Sequence, residues 1–306
     1  MEHNFKMENK KKVTIVTHSS KFHTDDIFAV ATLLLVLEKD HEIVVVRSRD
    51  RKIIDAADYV VDVGDEYNAD RNRFDHHQEG RAGERKNGIP YASFGLVWKK
   101  YGEELSGSES VAEKIDKKLV QPTDASDNGI QIFETKIEGV SPYTLDTLRR
   151  AFVPTWKEGF KDIDSIFMEL VGDAKTVLQR EIKKAKDDSE AGSAVLRAYE
   201  KSDDKRLIVF DRYYPADDFL NRYSEPLFTI FPSTDEDTWL LTAVQDSKES
   251  QINRKDLPSA WAGKSGEELE KITGVPGSVF CHVNLFLAVA KTKEAALKLA
   301  EIALSV

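Results

Sequence analysis

The chain has 306 residues, of which 41% are hydrophobic and 32% charged, and its formal net charge is −10 at pH 7. This length and apolar content are sufficient for a sizeable core and predict two domains. The negative charge argues against general adhesion to nucleic acid, because neutralising phosphates requires many lysines and arginines on one face. A nucleic-acid substrate would have to be held locally, by metal ions and a few cations.

Cys281 is the single cysteine, which excludes an internal disulfide and a Cys-rich zinc module. Residues 1–12 are polar and end in three lysines, without the apolar stretch of a secretory signal. We therefore expect a disordered start at 1–12 and a cytoplasmic protein. No window approaches the roughly eighteen apolar residues of a membrane span, so no membrane partner is expected.

The first part of the chain alternates strand and helix patterns. Residues 13–17 are β-branched and apolar, which predicts a buried strand, and apolar residues then recur at helical spacing over 27–35. Further strands are predicted at 43–46 and 59–63, followed by a helix at 92–100. This alternation predicts an α/β fold with a parallel sheet and helices on both of its faces.

The composition changes to helical and highly charged at residues 141–205, which predicts a helical connector. Strand patterns then return, at residues 206–210, 227–231, 239–244 and 277–283. A helix from 292 to about 304 closes the chain. Residues 206–306 are therefore expected to form a smaller C-terminal α/β domain.

Two clusters that combine histidines with carboxylates lie close to the ends of predicted strands. The first holds His18, His23 and Asp25, the second holds Asp75, His76 and His77, and Asp62 lies at the end of the third predicted strand. Imidazole and carboxylate groups together suit Mn, Fe, Zn or Mg, and a bound ion can generate hydroxide near neutral pH. Because ligands of parallel sheets bind beyond the carboxyl ends of the strands, we expect these residues to share one crevice.

The motifs, taken in order, resemble the DHH phosphoesterase superfamily and, within it, the melanocyte-proliferating-gene family. The resemblance covers nearly the whole chain after Lys12. It is carried by residues 17–18, 22–26, 47–50, 61–67, 73–78, 124–129, 152–156, 253–261, 274–277 and 279–282. It implies a metal-binding DHH-like domain at 13–140 and a C-terminal domain at 206–306 that helps to bind substrate. It also implies a hydrolase of phosphoester bonds, acting as an exonuclease on RNA from the 3′ end.

The same resemblance implies two divalent ions, for which we expect Mn²⁺, with Mg²⁺ and Zn²⁺ as alternatives. It implies one ion on His18 and His23, a second on Asp25, His76 and Asp127, and Asp62 as a bridge between them. The first motif departs from the superfamily pattern, since a histidine at position 23 replaces a carboxylate and the loop is one residue longer. The geometry and metal preference at the first ion are therefore open.

His77 and Asp75 are the predicted catalytic residues. We expect His77 to contact the phosphoryl oxygen or supply a proton, and Asp75 either to bind metal or to orient a metal-bound histidine. Asp124 stays an alternative to Asp127, because one of the two could simply cap the turn at 128–129. Asp26 is expected to face away or to cap the following helix.

Four further residues are candidates for contact with substrate phosphate: Lys21, Arg73, Arg254 and His282. After His282, relatives tend to carry glycines, which let backbone approach a ligand closely. This chain has bulky residues at 284–289 instead. Side chains of that size would block a phosphate cradle made of backbone N–H groups.

The preferred function is a two-metal 3′ to 5′ exonuclease acting on RNA or short oligonucleotides. One alternative is a phosphohydrolase of a small nucleotide or phosphorylated metabolite, which the negative net charge favours. The other is a metal-binding protein without turnover, which the missing glycines favour. RNA or an oligonucleotide is the expected partner, and a homo-oligomer is also considered.

Overall fold

A computed structural model describes residues 10–159, 161–234, 236–247 and 252–306 of the chain. The chain divides into two compact units, one ending at Lys186 and the other beginning at Asp187. Residues 1–9 of the predicted disordered start lie outside the described residues, and Lys11 and Lys12 already belong to the first strand. In the part of the chain that the structure describes, no helix is long and apolar enough to cross a membrane.

The first unit opens with alternating strands and helices. These are β1 (Lys11–Thr17), α1 (Thr24–Leu37), β2 (His41–Arg47), α2 (Arg51–Ala56), β3 (Tyr59–Val61), β4 (Tyr67–Asn68), a 3-10 helix (Ala69–Arg71) and β5 (Arg73–Phe74). The remainder is helical: α3 (Ser93–Ser106), α4 (Glu109–Ile115), a π-helical segment (Asp116–Val120), α5 (Gln121–Asp127), α6 (Leu145–Phe152) and the first part of α7 (Ile163–Lys201).

The strands of this unit form one sheet in the order β2-β1-β3-β5-β4. All neighbours are parallel except β4, which runs antiparallel to β5. Side chains of β1 alternate between two cores, as the period of two in a strand requires. Ile15 packs with residues of α1 and α3, whereas Val16 packs with Ile54 of α2 on the other face. The predicted α/β fold with a parallel N-terminal sheet and helices on both faces is confirmed.

Helix α1 is buried along almost its whole length, which explains why apolar residues occur on every side of it. Its start is fixed by a capping box, in which the backbone N–H of His23 donates to Asp26 Oδ1 at 2.9 Å. The cap therefore holds the loop after β1 and the first turn of α1 together. Asp26 caps the helix as one of our two predictions stated, but it does not face away, because its side chain is fully buried beside His18.

The second unit contains the rest of α7 and a second sheet. Its elements are β6 (Leu207–Val209), α8 (Asp217–Leu220), β7 (Phe228–Pro232), β8 (Trp239–Ala243), a 3-10 helix (Ser259–Trp261), α9 (Gly266–Thr273), β9 (Ser278–Cys281), β10 (Leu287–Ala290) and α10 (Lys293–Ser305). The sheet order is β6-β7-β8-β10-β9, with only β6 and β7 parallel. Part of the bulky run at 284–289 forms β10, and its Ala288 is buried in the core with α10.

Candidate metal centre

The predicted ligands converge at one edge of the first sheet. β1, β3 and β5 are parallel neighbours, so their carboxyl ends meet at the same edge. His18 follows β1, Asp62 follows β3 and His76 comes two residues after β5. The N-terminus of α1, with His23 and Asp25, and the C-terminal residue of α5, Asp127, complete the cluster. The expectation of a shared crevice at this edge agrees with the geometry.

Asp62 stands at the middle of the cluster. Its Oδ2 lies 3.2 Å from His18 Nε2, while its Oδ1 lies 3.2 Å from His76 Nε2 and 3.5 Å from His77 Nδ1. The backbone of Asp62 is left-handed, with φ of 57°, a conformation that Asp tolerates better than most residues. This turn directs the two oxygens of one carboxylate towards two different groups of histidines.

The carboxylate of Asp127 lies between His76 and His23, the residue that precedes the first turn of α1. Its Oδ2 lies 3.2 Å from His76 Nε2, and its Oδ1 lies 3.9 Å from His23 Nδ1. Asp25 Oδ2 is 3.9 Å from His76 Nε2. Three sets of potential ligand atoms, each within 4.8 Å of one another, result: His18 with His23 and Asp62, Asp62 with His76 and His77, and His23 with Asp25 and Asp127. His23 therefore belongs to two of these sets.

Several buried polar atoms of the cluster make no hydrogen bond among the described residues, although some of them lie 3.1 to 3.2 Å from one another as histidine–carboxylate pairs. They are His18 Nε2, both oxygens of Asp25, Asp26 Oδ2, Asp62 Oδ2 and His76 Nε2. Leaving so many buried polar atoms unsatisfied is costly, and a coordinated cation would satisfy them. The donor set of imidazole nitrogen and carboxylate oxygen suits Mn²⁺, Mg²⁺ or Zn²⁺. The residues present thus fit the predicted divalent ions.

The imidazole ring of His18 is oriented by a contact of its Nδ1 with the backbone. His18 Nδ1 lies 3.1 Å from the carbonyl oxygen of Ser19, so a proton on Nδ1 is donated to backbone. Nε2 is then the nitrogen that faces the cluster. Donation from the other ring nitrogen to a carbonyl is the usual way in which proteins fix the tautomer of a metal-binding histidine.

Protons and a cation would compete for the same nitrogen and oxygen atoms of the cluster. Burial lowers the pKa of His18, but the carboxylates of Asp26 and Asp62 outweigh it and raise the pKa to about 10. His76 reaches a pKa of about 10 for the same reason, beside Asp127 and Asp62. Burial and neighbouring carboxylates raise the pKa of Asp25 well above its usual range. Without a cation, the cluster therefore retains protons at neutral pH.

We expect Mn²⁺ binding to release protons and to tighten as the pH rises towards 10. The folded pKa of His18 and His76 is about 10, and a bound ion requires neutral imidazole, so protons oppose binding below that pH. Titration calorimetry at pH 7 and 9, in buffers of different ionisation enthalpy, measures both effects. A His41→Asn variant, altered at a histidine outside the cluster, is expected to match wild type. An affinity independent of pH over this range would contradict the prediction.

Both carboxylate oxygens of Asp75 form hydrogen bonds with neighbouring residues. Its Oδ1 lies 2.7 Å from His77 Nδ1 and accepts the backbone N–H of His76 at 2.7 Å, while its Oδ2 accepts the N–H of Asp65 at 2.6 Å. Burial raises the pKa of Asp75, but the hydrogen bonds from His77 and Asp65 lower it below its usual range. Of the two roles predicted for Asp75, this geometry favours orienting a histidine over binding metal.

Asp124 and Asp127 have different surroundings. Asp124 is completely buried, accepts Arg85 Nη1 at 2.7 Å and accepts the N–H of Gly95 at 3.0 Å. Burial raises its pKa to about 7 even beside Arg85. The structure thus brings Asp127 to the cluster and places Asp124, on α5, in a buried ion pair with Arg85 of the loop that precedes α3.

Of the predicted substrate-binding residues, Lys21 and Arg73 lie in the first unit, and neither lines the two cavities beside the cluster. Lys21 is exposed and is not among the residues that line the two cavities beside the cluster. Arg73 is buried and donates to the carbonyl oxygens of Ala57 and Arg71, which makes it an anchor for β5. In the second unit, Arg254 donates to backbone carbonyls of residues 223 and 226, and His282 Nδ1 accepts the N–H of Asn284.

Two cavities border the cluster. One, of about 250 Å³, is lined by His18, Asp62 and His77 together with Arg49 and Arg51. The other, of about 550 Å³, is lined by residues of the cluster and by Arg81, Arg149 and Arg150. The sequence reasoning missed these three arginines and the contact of Asp26 with His18. Asp26 had one signal, its adjacency to Asp25, whereas Arg149 and Arg150 precede the motif at 152–156 and lie far in sequence from every predicted metal ligand.

A family model described as Uncharacterised protein family (UPF0160), with the short name MYG1_exonuc, matches residues 14–304. The chain belongs to the MYG1 exonuclease family. The resemblance to the melanocyte-proliferating-gene family is thereby confirmed. The match includes every predicted ligand of the metal centre and extends over both units of the chain.

Relatives of the MYG1 family align with nearly the whole chain. A MYG1 protein of Dictyostelium discoideum is 32% identical over 320 residues, covering 94% of this chain and 95% of the relative. A MYG1 exonuclease of Bos taurus is 30% identical over 332 residues, covering 95% of this chain and 84% of the relative. Among solved structures, exonuclease RecJ bound to manganese is 10% identical, with 96% of this chain and 90% of the RecJ chain covered and a TM-score of 0.27.

Proposed function

We propose that this chain is a divalent-metal-dependent 3′ to 5′ exonuclease that acts on RNA or short oligonucleotides by a two-metal mechanism. The family to which it belongs makes it a hydrolase of phosphoester bonds. The finer proposal rests on one observation above all. The two oxygens of Asp62 face two separate groups of potential ligands, His18 on one side and His76 on the other.

In this proposal, the ligands are those predicted from the sequence: His18, His23, Asp25, Asp62, His76 and Asp127. Two divalent ions held there would supply Lewis-acid activation of water and stabilisation of the leaving oxygen. Asp62 would hold both ions at once through its two oxygens. Asp26, whose Oδ2 lies 3.1 Å from His18 Nε2, would orient that histidine or add a further oxygen ligand.

His77 is the proposed proton donor for the leaving oxygen. Its side chain is 52% exposed, whereas that of His76 is 7% exposed, so His77 is the histidine of this pair that a substrate can reach. Asp75 holds its Nδ1 at 2.7 Å, which leaves Nε2 available to a substrate oxygen. Asp75 is therefore proposed as a positioning residue for His77.

We extend the proposal to further properties of this chain. We place substrate contacts at Lys21, Arg254 and His282, and a substrate-binding role on the domain at residues 206–306. Manganese as the working ion, action in the cytoplasm and a homo-oligomeric state also stay predictions. The bovine relative named a MYG1 exonuclease supports a nucleic acid as the substrate class.

The deciding experiment incubates the purified chain with 3′-labelled and 5′-labelled oligoribonucleotides and Mn²⁺, Mg²⁺ or Zn²⁺. Stepwise release of mononucleotides from the 3′ end is expected with Mn²⁺, and chelator is expected to stop it. Hydrolysis of small nucleotides without digestion of the oligonucleotides would favour the alternative phosphohydrolase. Tightly bound metal without any hydrolysis would favour the binding protein without turnover.

A further inference from the structure

The cavity of about 550 Å³ beside His76 and Asp127 has a wall of arginines. We name it the arginine pocket, after Arg81, Arg149 and Arg150. Its volume is large enough for a nucleotide-sized ligand, since ordinary ligand pockets begin at about 300 Å³. Because it opens on the metal centre, any ligand it holds lies next to the reacting phosphate.

Arg149 is the unusual member of this wall. It is 9% exposed, yet it lines the cavity. One of its terminal nitrogens pairs with Asp146, but its Nε is buried and has no hydrogen-bond partner within the described part of the chain. A buried charged donor without an acceptor is costly. An arginine in this state is suited to accept an anionic ligand, and the planar guanidinium matches phosphate oxygens.

Asp146 holds two arginines of the pocket in place. Its Oδ1 pairs with Arg149 and its Oδ2 accepts Arg150 Nε at 2.7 Å, so one carboxylate positions two arginines on α6. The pocket is lined by three arginines and by two aspartates, Asp127 and Asp146. Since Asp127 is assigned to a cation, positive charge predominates in the pocket. This balance favours a phosphate over a cationic or neutral group.

A second, more apolar cavity of about 410 Å³ adjoins the arginine pocket, and Ser126 and Asp146 line both. We name it the apolar pocket. Its lining includes Ile132, Phe133 and Leu145, which are 52%, 37% and 38% exposed. Exposed apolar side chains gathered in one place mark a binding surface. An aromatic ring beside a cationic groove is how proteins hold single-stranded nucleic acid, by stacking on bases.

We propose that the two pockets form one nucleotide subsite, in which Arg149 binds the phosphate next to the scissile one and Phe133 stacks on the base of that nucleotide. This inference rests on the proposed function and makes it more specific. The substrate is then a single-stranded chain of nucleotides, because a simple phosphate ester has neither the second phosphate nor the base.

The test compares three substrates with Mn²⁺: a ribo-oligoadenylate of five residues, an abasic chain of equal length, and bis(4-nitrophenyl) phosphate. Arg149→Gln is expected to lower kcat/KM for the oligoadenylate by about ten- to a hundredfold, mainly through KM, with a smaller loss on the chromogenic diester. Phe133→Ala is expected to remove a preference of about tenfold for the oligoadenylate over the abasic chain. Arg71→Gln is the control, since Arg71 is 64% exposed, pairs with Glu66 and lines neither pocket.

Equal losses on the oligoadenylate and the diester in Arg149→Gln would overturn the subsite, as would an unchanged base preference in Phe133→Ala. If Arg149→Gln does not fold, as judged from its Tm, Arg149→Lys takes its place. Lysine keeps the positive charge beside Asp146 but lacks the planar guanidinium with its paired N–H donors. The KM of Arg149→Lys for the oligoadenylate is therefore expected to stay above the wild-type value. If the wild-type chain hydrolyses neither oligoadenylate nor diester with any metal, the proposed function fails and this inference fails with it.

Discussion

Replacing Asp62 with Asn is expected to lower metal-dependent hydrolysis by roughly 10³-fold, equivalent to about 4 kcal/mol of transition-state stabilisation. The two oxygens of Asp62 lie 3.2 Å from His18 Nε2 and 3.2 Å from His76 Nε2, so a single residue serves both halves of the centre. An amide has one weak oxygen ligand and no negative charge. Metal content measured by mass spectrometry is expected to fall together with the rate.

Asn is the appropriate substitution because of the backbone at this position. Asp62 has φ of 57°, which Asn adopts about as readily as Asp, whereas Ala would add strain. The Asp62→Asn variant therefore separates loss of ligands from loss of fold. Asp70→Asn, at an exposed position in the nearby 3-10 helix, is the matched control and is expected to retain full activity. Wild-type metal content and rate in Asp62→Asn would exclude Asp62 as the bridging ligand.

The first sheet and the position of the candidate ligands at its edge could be predicted because both depend on local patterns. The β-branched run before Thr17 and the apolar repeat after Asp26 indicated a strand and a helix, and the structure has β1 and α1 there. The carboxyl ends of parallel strands share an edge, so the position of His18 and Asp62 followed from topology. The spacing of the predicted strands in the sequence was therefore sufficient to place His18 and Asp62 at the same edge of the sheet.

The surroundings of the arginines near the centre depend on packing between segments that are far apart in the chain. Arg73 stands two residues before the Asp75 string and was expected at the substrate, but β5 turns its guanidinium to carbonyl oxygens at the other end of the strand. Arg149 lies over twenty residues after Asp127 and reaches the centre only because α6 packs beside α5 and α1. Neither position carries a signal that short-range periodicity could reveal.

Arg85→Met is expected to destabilise the chain by about 3–5 kcal/mol, because it leaves a buried carboxylate without its partner. Arg85 binds Asp124 at 2.7 Å and Asp116 at 2.8 Å, and its guanidinium stacks over Tyr91. Asp124 is completely buried and cannot turn to solvent. Urea unfolding at pH 8 measures the effect. Arg51→Met, which breaks the exposed pair with Asp55, is the control and is expected to cost less than about 1 kcal/mol.

The pH dependence of this loss distinguishes an unpaired charge from simple loss of packing. The pKa of Asp124 is about 7 in the folded chain against an ordinary 3.8, so ionisation of Asp124 opposes folding as the pH rises through that interval. Without Arg85 the folded pKa rises further, and the Arg85→Met penalty is expected to be larger at pH 8 than at pH 5. Adding Asp124→Asn should recover most of it, because the neutral amide needs no counter-charge. A penalty that is the same at both pH values, and unchanged in the double variant, would assign the role of Arg85 to packing against Tyr91 instead.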